Sequence, residues 1–515
     1  METDSGRTVS VWMRTGAEPA GDGRLGQSAT ADVCIVGAGI AGLTTAYLLA
    51  REGRSVVVLD DGPAAGGETA RTTAHLSNAL DDRYVNLERI HGERGARLAA
   101  ASHTAAIERI ERIVNEEGID CDFERVDGYL FVPPGEPTNQ LGEELRAAHR
   151  AGLEDVEYVE RVPYDGYNFG AALRFPRQGQ FHILKYLSGV AAAFRRAGGR
   201  LYTGTRAVEF EGGETAHVKT SDGHLVTAGA LVVATNSPIN DRVAIHTKQA
   251  PYRTYVVGAR VPAGKIPHLL YWDTPDPYHY VRLQRGSAEG GDYDVLIVGG
   301  EDHKTGQTES YAERFRRLEE WTRERFPAIE SFEYRWSGQV MEPIDGLAYI
   351  GRNPLDAENV YVATGDSGHG MTHGTIAGML LTDLIQGREN EWATLYDPAR
   401  VRASVESGKE FLRENLNVAA QYVDHLTGGE VSSVEEVGPG TGAVLRRGLT
   451  HVAVFRDESG VLHERSAVCT HLGCVVAWNN LERSWDCPCH GSRFSPTDGH
   501  VLNGPAVNGL APAEE

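Results

Sequence analysis

Two short boxes near the end of the chain carry the side chains best suited to chemistry. The first is Cys469-Thr470-His471-Leu472-Gly473-Cys474; the second, thirteen residues on, is Cys487-Pro488-Cys489-His490-Gly491-Ser492. A Cys-x-His box followed by a Cys-x-x-His box supplies two thiolates and two imidazoles. That donor set can hold tetrahedral zinc, or a [2Fe–2S] pair in which two His replace two Cys on one iron. A zinc finger usually keeps its two Cys apart from its two His, whereas each box here contributes one of each. Zinc also has no use for the further cysteines, Cys474 and Cys489. The iron–sulfur reading is preferred, and it makes this a protein that moves single electrons.

A second constellation lies near the other end. Ala31–Val36 reads as a buried strand, runs into Gly37-Ala38-Gly39-Ile40-Ala41-Gly42, and is followed by a helix to Glu52 and a second strand, Ser55–Leu59, ending at Asp60-Asp61. Each glycine has a physical task. Gly37 permits a tight turn, Gly39 lets backbone approach a pyrophosphate, and Gly42 lets helix and strand pack closely. The phosphates sit at the helix N-terminus, where unpaired N–H groups favour negative charge. Asp60 is in register to accept the ribose hydroxyls. FAD is favoured over NAD by three features: the early position of the fingerprint, the small hydroxyl-rich stretch Gly66–Ser77 with Arg71, Thr72 and Thr73, and a later strand and glycine loop, Val360–Gly370, before a helix.

Here the sequence resembles known families. Residues from about 30 to 400 are similar to the D-amino-acid oxidase/glycine oxidase superfamily of FAD proteins. Leu231–Asn236, with Ala234 and Thr235, matches that family's mid-chain flavin strand. Trp336-Ser337-Gly338 through Gly351 matches the segment before the last flavin loop, where Gly365, Gly368, His369, Gly370 and Met371 lie. The final boxes resemble Rieske domains of the cytochrome bc-complex type. That resemblance implies Cys469 and Cys487 on one iron, His471 and His490 on the other, and a Cys474–Cys489 disulfide clamping the two loops. It also implies that Ser492 donates a hydrogen bond to cluster or ligand sulfur. Phe494 stands where such domains carry a donating Tyr, so a lower potential is expected. Oxidases of the first family often place a carboxylate-clamping Arg after Trp-x-Gly. This chain has Gln339-Val340-Met341 instead, which argues against an α-amino-acid substrate. Ala70 or Arg71 occupies the point where some relatives attach FAD covalently, so non-covalent FAD is expected, with nearby His75 leaving the alternative open.

The elements that position these groups imply an α/β, Rossmann-like FAD-binding domain, a β-rich substrate domain, and a C-terminal all-β Rieske domain. The expected boundaries are 28–400 for the flavoprotein, with FAD-binding parts at about 28–118, 176–244 and 341–400 and substrate parts at about 119–175 and 245–340. A helical linker follows at 401–430, then the Rieske domain at 431–515. Apolar spacing predicts a long helix or helix pair over about 84–117. Phe175–His182 and the aromatic Tyr271–Arg282 are candidate cavity segments. Aromatics over a flavin suit an amine cation, although packing of a sheet face explains the same residues. His369 and His373 flank Met371 in the last flavin loop. Cys34 and Cys121 read as buried filler. The net charge of -22 disfavours nucleic acid and anionic membranes. No run approaches the roughly 18–20 apolar residues of a membrane span, and the N-terminus leads into no secretory h-region, so a cytoplasmic location is expected. These readings converge on an oxidoreductase. It would oxidise a small substrate at a carbon next to nitrogen, using FAD, and pass electrons singly through the cluster to an external one-electron carrier. The alternative is a relay that receives its electrons from a partner protein. No catalytic base is identifiable.

Overall fold

Val33–Val36 and Val56–Leu59 are buried continuously rather than alternately, the pattern of parallel strands covered on both faces. The computed structural model describes residues 6–240, 245–288, 291–307, 310–400, 413–418, 421 and 429–513. In it, Ala29–Val36 lies between Val56–Leu59 and Leu225–Val233, which are flanked by Arg200–Tyr202 and Val360–Thr364, all paired in parallel. Helices Ile40–Arg51 and Gly370–Ile385 pack against each other beside this sheet. Each begins at the C-terminal end of a parallel strand, so both glycine loops open on one edge, where such sheets bind ligands.

A second sheet runs in the order Ser331–Pro343, Gln249–Pro262, Gly291–Lys304, His279–Ala288, Leu270–Asp273, Glu124–Phe131, Ala172–Gln180, His75–Leu76. It is antiparallel except where Leu270–Asp273 meets Glu124–Phe131. One face is closed by helix Tyr311–Arg325, whose Tyr311, Phe315 and Leu318 join Tyr255, Val257 and Leu296 in a buried cluster. The opposite face turns towards the glycine loops. The helix or helix pair predicted over 84–117 is a pair within Tyr84–Glu117, broken at Gly92 (φ 71°, ψ 169°).

The C-terminal region holds two small antiparallel sheets. One contains Thr441–Arg447, Thr450–Arg456 and Leu462–Ser466; the other contains Ala477–Asn479, Ser484–Asp486, Arg493–Phe494 and Val501–Asn503. Most of the expected linker lies outside the described residues. Within it, 413–418 is helical, and Gly429 already bridges to Leu445 of the C-terminal sheet. No helix among the described residues is long and apolar enough to cross a membrane.

A segment preceding the expected flavoprotein domain also contributes. Ser10 caps the short helix Val11–Thr15. Its hydroxyl donates to Ala70 O (2.6 Å), and the indole N–H of fully buried Trp12 donates to Thr72 O (2.6 Å). These bonds fasten the hydroxyl-rich loop from behind.

Candidate functional site

Of the residues named for the dinucleotide, all but Gly42 line one cavity between the two large sheets. Gly37 (φ +104°) lies so close to Ala234 that a Cβ there would collide with its carbonyl; a Cβ on Gly42 would collide with Gly37 O. By contrast, a Cβ on Gly39 would meet only the Thr69 hydroxyl, at 3.0 Å, and would project into the cavity. Bare backbone at Gly39 is what a pyrophosphate needs. Asp60 holds the loop in place: Ala38 N–H donates to Oδ2 (2.6 Å) and Gly62 N–H to Oδ1 (3.0 Å). Arg71 lines the cavity fully buried, and its Nε and Nη2 have no hydrogen-bond partner among the described residues. Such orphaned donors suit the carbonyl or phosphate oxygens of a flavin dinucleotide, so the residues present fit that group.

The second sheet supplies the facing wall: Thr254, Trp272, Tyr278, Tyr280 and Asp302, with His75 and Asp81 at its edge. Tyr278 OH donates to Asp81 Oδ2 (3.0 Å), and the Thr254 and Tyr280 hydroxyls share a hydrogen bond of 2.7 Å. Asp81 N–H donates to His369 Nε2 (3.0 Å). Burial works against a charged His369 ring, but the Asp81 carboxylate outweighs it and raises the pKa. His75 is held neutral, its pKa lowered to about 3 by burial and then by Arg282. The candidate segments divide. Trp272, Tyr278 and Tyr280 face the cavity. Arg282 instead donates to Thr73 O, Ala74 O and Phe181 O, supporting the flavin loop. His182 caps helix Ile183–Arg196 and packs on Trp12. His373 lines the cavity and bonds to the Asp366 carbonyl (2.8 Å).

In the C-terminal domain the two boxes meet. Cys469 and Cys487 are buried and hydrogen-bonded to each other, and the His471 and His490 rings lie 5.0 Å apart at 88°. Cys474 and Cys489 form a disulfide with a Cα–Cα distance of 6.5 Å. The sulfurs of Cys474, Cys487 and Cys489 cluster within 4.8 Å, but the disulfide leaves only Cys487 of the three as a thiolate donor. The Cys469 thiol is brought below its usual range, chiefly by the Cys487 hydrogen bond, against burial, with help from backbone N–H groups and the Ser492 hydroxyl. Ser492 Oγ also accepts from Ala506 N–H (3.1 Å). Phe494 is fully buried in the core that contains all four box cysteines. His490 Nδ1 is buried without a hydrogen-bond partner among the described residues, as an imidazole reserved for a metal would be. Two thiols, two imidazoles and inward donors fit a [2Fe–2S] cluster.

The two sites share walls. Val501–Asn503, Gly504, Ala506 and Val507 of the C-terminal domain line the flavin cavity. Asn503 donates to Glu68 Oε1 (2.6 Å), and Glu68 Oε2 accepts from Gln339 N–H (2.6 Å). The Gln339 side chain donates to Gly491 O (3.1 Å), one residue from His490. Gln339 therefore occupies the position after Trp-x-Gly with an interdomain contact instead of a carboxylate clamp. Beside it lies a buried ionic network. Glu482 is 3.4 Å from Arg71 and 3.7 Å from Arg253, all three side chains being essentially inaccessible. Glu482 also accepts from Ser337 Oγ and Thr8 Oγ1 (2.5 Å each). On the other side of the cluster, the buried His246 ring lies 4.9 Å from His471 and 5.9 Å from His490.

Sequence reasoning missed Glu482, Arg253, His246, Thr254 and Asp302. Only Gln339 carried a signal, as a departure from the expected arginine. The others lie in ordinary-looking polar stretches and acquire meaning through contacts across the fold.

Comparison with known proteins agrees with this geometry. The model of the FAD dependent oxidoreductase family DAO matches residues 32–384, and that of the Rieske [2Fe-2S] domain matches 429–513. A Bacillus subtilis (strain 168) protein named as the Rieske 2Fe-2S iron-sulfur protein YhfW is 32% identical over 94% of each chain. Gamma-glutamylputrescine oxidoreductase of Escherichia coli (strain K12) is 28% identical, covering 70% of this chain and 85% of its own. In fold, glycine oxidase from Geobacillus kaustophilus superposes with a TM-score of 0.61 at 20% identity, over 73% of this chain and 100% of that one. The chain belongs to the DAO family of FAD-dependent oxidoreductases, and it carries a C-terminal Rieske [2Fe–2S] domain.

Proposed function

We propose that the protein oxidises a small amine at the carbon next to nitrogen and sends the electrons, one at a time, through its own cluster to an external one-electron carrier. The observation that carries this reading is the shared wall. Gln339 lines the flavin cavity and donates to Gly491, the neighbour of His490. FAD accepts an electron pair from a carbon substrate and a [2Fe–2S] cluster carries single electrons, so the pair converts two-electron chemistry to one-electron export. Cys469, His471, Cys487 and His490 would hold the cluster. Gly37, Gly39, Asp60, Arg71 and the Gly365–Met371 loop would hold the dinucleotide.

The protein's own residues have definable tasks. Gly39 and the start of helix Ile40–Arg51 receive the pyrophosphate. The Thr254, Trp272, Tyr278 and Tyr280 side chains line the cavity across from the flavin loops, where a substrate would sit. The aromatic lining of this cavity supports a substrate-oxidising enzyme over a relay fed by a partner protein. The E. coli relative is named for an amine substrate, and the missing clamp arginine supports the same class. An anaerobic screen of amines and amino acids, read by bleaching of the flavin, tests the reading. Amines are expected to bleach it, and amino acids to be poor. Bleaching by α-amino acids alone would refute the amine assignment.

A further inference from the structure

The wall of the flavin cavity contains one carboxylate whose setting differs from its neighbours. Asp302 lies on Gly291–Lys304, paired with Gln249–Pro262. The register runs Arg253↔His303 and then Tyr255↔Gly300, so Glu301 and Asp302 together oppose the single residue Thr254. A bulge of this kind re-aims side chains, and bulges gather next to active sites. Glu301 takes the left-handed conformation needed (φ +61°). It turns outward to Arg317 (2.7 Å) and Arg314 (3.7 Å). Asp302 turns inward and lines the cavity with Tyr278, Tyr280 and Trp272.

Asp302 then has only part of what a buried carboxylate normally has: a hydrogen bond from the Thr254 hydroxyl. Its Oδ1 is inaccessible and has no hydrogen-bond partner among the described residues. No ion pair within 4.0 Å reaches it among those residues, whereas nearby Asp81 has His369 and the Tyr278 hydroxyl. Burial raises the Asp302 pKa to about 7, as expected of a carboxylate short of a cation. Aromatic faces beside an anion make a site for an organic ammonium group. The cavity offers little to a carboxylate. Among the described residues, Arg71 and Arg206 are its only Arg or Lys, and each is already balanced, by Glu482 at 3.4 Å and Asp61 at 3.3 Å.

We propose that Asp302 is the anchor for the substrate's ammonium group, and that the Asp302–Tyr278–Tyr280–Trp272 corner selects amines without a carboxylate on the reacting carbon. This deepens the amine reading above and rests on it. The anchor has a second use. A proton can pass from the bound ammonium nitrogen to the Asp302 carboxylate, breaking N–H and forming O–H. That leaves a neutral amine whose lone pair is available for oxidation at the adjacent carbon.

Binding can be read without turnover, using probes that have no hydrogen on the carbon next to nitrogen. The flavin-loaded protein is titrated with tert-butylammonium, neutral tert-butanol and pivalate, following the flavin absorption band and calorimetric heat. The wild type should bind the ammonium most tightly. In Asp302→Asn the ammonium should bind roughly tenfold or more weakly, the loss expected of a charge-assisted hydrogen bond, with the neutral probe little changed. If Asp302→Asn does not retain flavin, Asp302→Ser removes the charge with less bulk. Equal binding of the three probes by the wild type would overturn the proposal without any variant, and so would an ammonium preference that survives loss of the carboxylate. If no amine bleaches the flavin yet ammonium binding still depends on Asp302, the oxidation reading fails and the anchor stands. If Asp302→Asn oxidises amines with unchanged KM, the oxidation reading stands and the anchor fails.

Discussion

Around the flavin cavity, contacts come from segments as far apart as Val36 and Val507. Around the cluster, four side chains come from one short stretch, Cys469 to His490, held by a local disulfide. The flavin half needs a whole domain to assemble its site; the cluster half needs two loops. Single substitutions should therefore act differently in the two halves. In the flavin cradle many groups share the load, whereas at the cluster each side chain is a large fraction of the whole. Between the halves lies a third kind of structure, the buried Glu482–Arg71–Arg253 network, which ties Arg71 of the flavin cavity to Glu482 of the C-terminal domain.

The largest effect should come from removing a cluster donor. His490→Ala should lose the iron while keeping FAD, and turnover with a one-electron acceptor should fall by more than the roughly 10–100-fold typical of losing a supporting contact. Iron analysis and flavin absorbance check both halves at once. Loss of both cofactors together would mean that the two sites are not separately assembled.

Next comes the network between them. Glu482 resists charging through burial, but Arg71, Arg253 and Arg493 hold its pKa at about 2, below the ordinary 4.5. A depressed carboxylate contributes stability that is present in full above about 4.5 and is lost as pH falls through about 2. Glu482→Gln leaves the buried Arg71 guanidinium without its counter-charge and Arg253 with Asp486 alone, at 4.0 Å, which should cost on the order of 3–5 kcal/mol. Thermal melting should show a lower Tm for the variant at pH 7. It should also show a shallower acid-side decline than the wild type between about pH 4.5 and 2. Parallel acid profiles would show that Glu482 does not hold the halves together.

How far the two halves could be read in advance follows the same division. The cluster boxes are contiguous, so the donor set and the extra cysteines were legible as text. The first flavin loop was legible because strand, glycines, helix and acid follow one another. The buried contacts between domains were not. Glu482 sits in Asn479–Ser484, whose polar residues look like a surface turn until Arg71, more than 400 positions away, is folded onto it. Trp12 and Ser10 precede every motif, yet they brace the flavin loop. Asp302 gains its direction from a register shift that no residue pattern announces.

The smallest effects should come from tuning the cluster without dismantling it. Phe494 fills the core beside the box cysteines without offering a donor, while Ser492 donates to Cys469. One hydrogen bond of roughly 0.5–1.5 kcal/mol corresponds to about 20–60 mV for one electron. Phe494→Tyr should raise the cluster midpoint by about that amount, and Ser492→Ala should lower it. Redox titration reads both, and an unchanged midpoint in Phe494→Tyr would mean that the ring edge does not address a cluster or ligand sulfur.

The central claim is that electrons pass from flavin to cluster inside one chain, across the Gln339–Gly491 contact. Anaerobic stopped-flow with a flavin-bleaching amine tests it most directly, following flavin and cluster absorbance at several protein concentrations. The account predicts that cluster reduction follows flavin reduction at a rate independent of protein concentration. A cluster that stays oxidised, or a rate that rises in proportion to protein concentration, would contradict it.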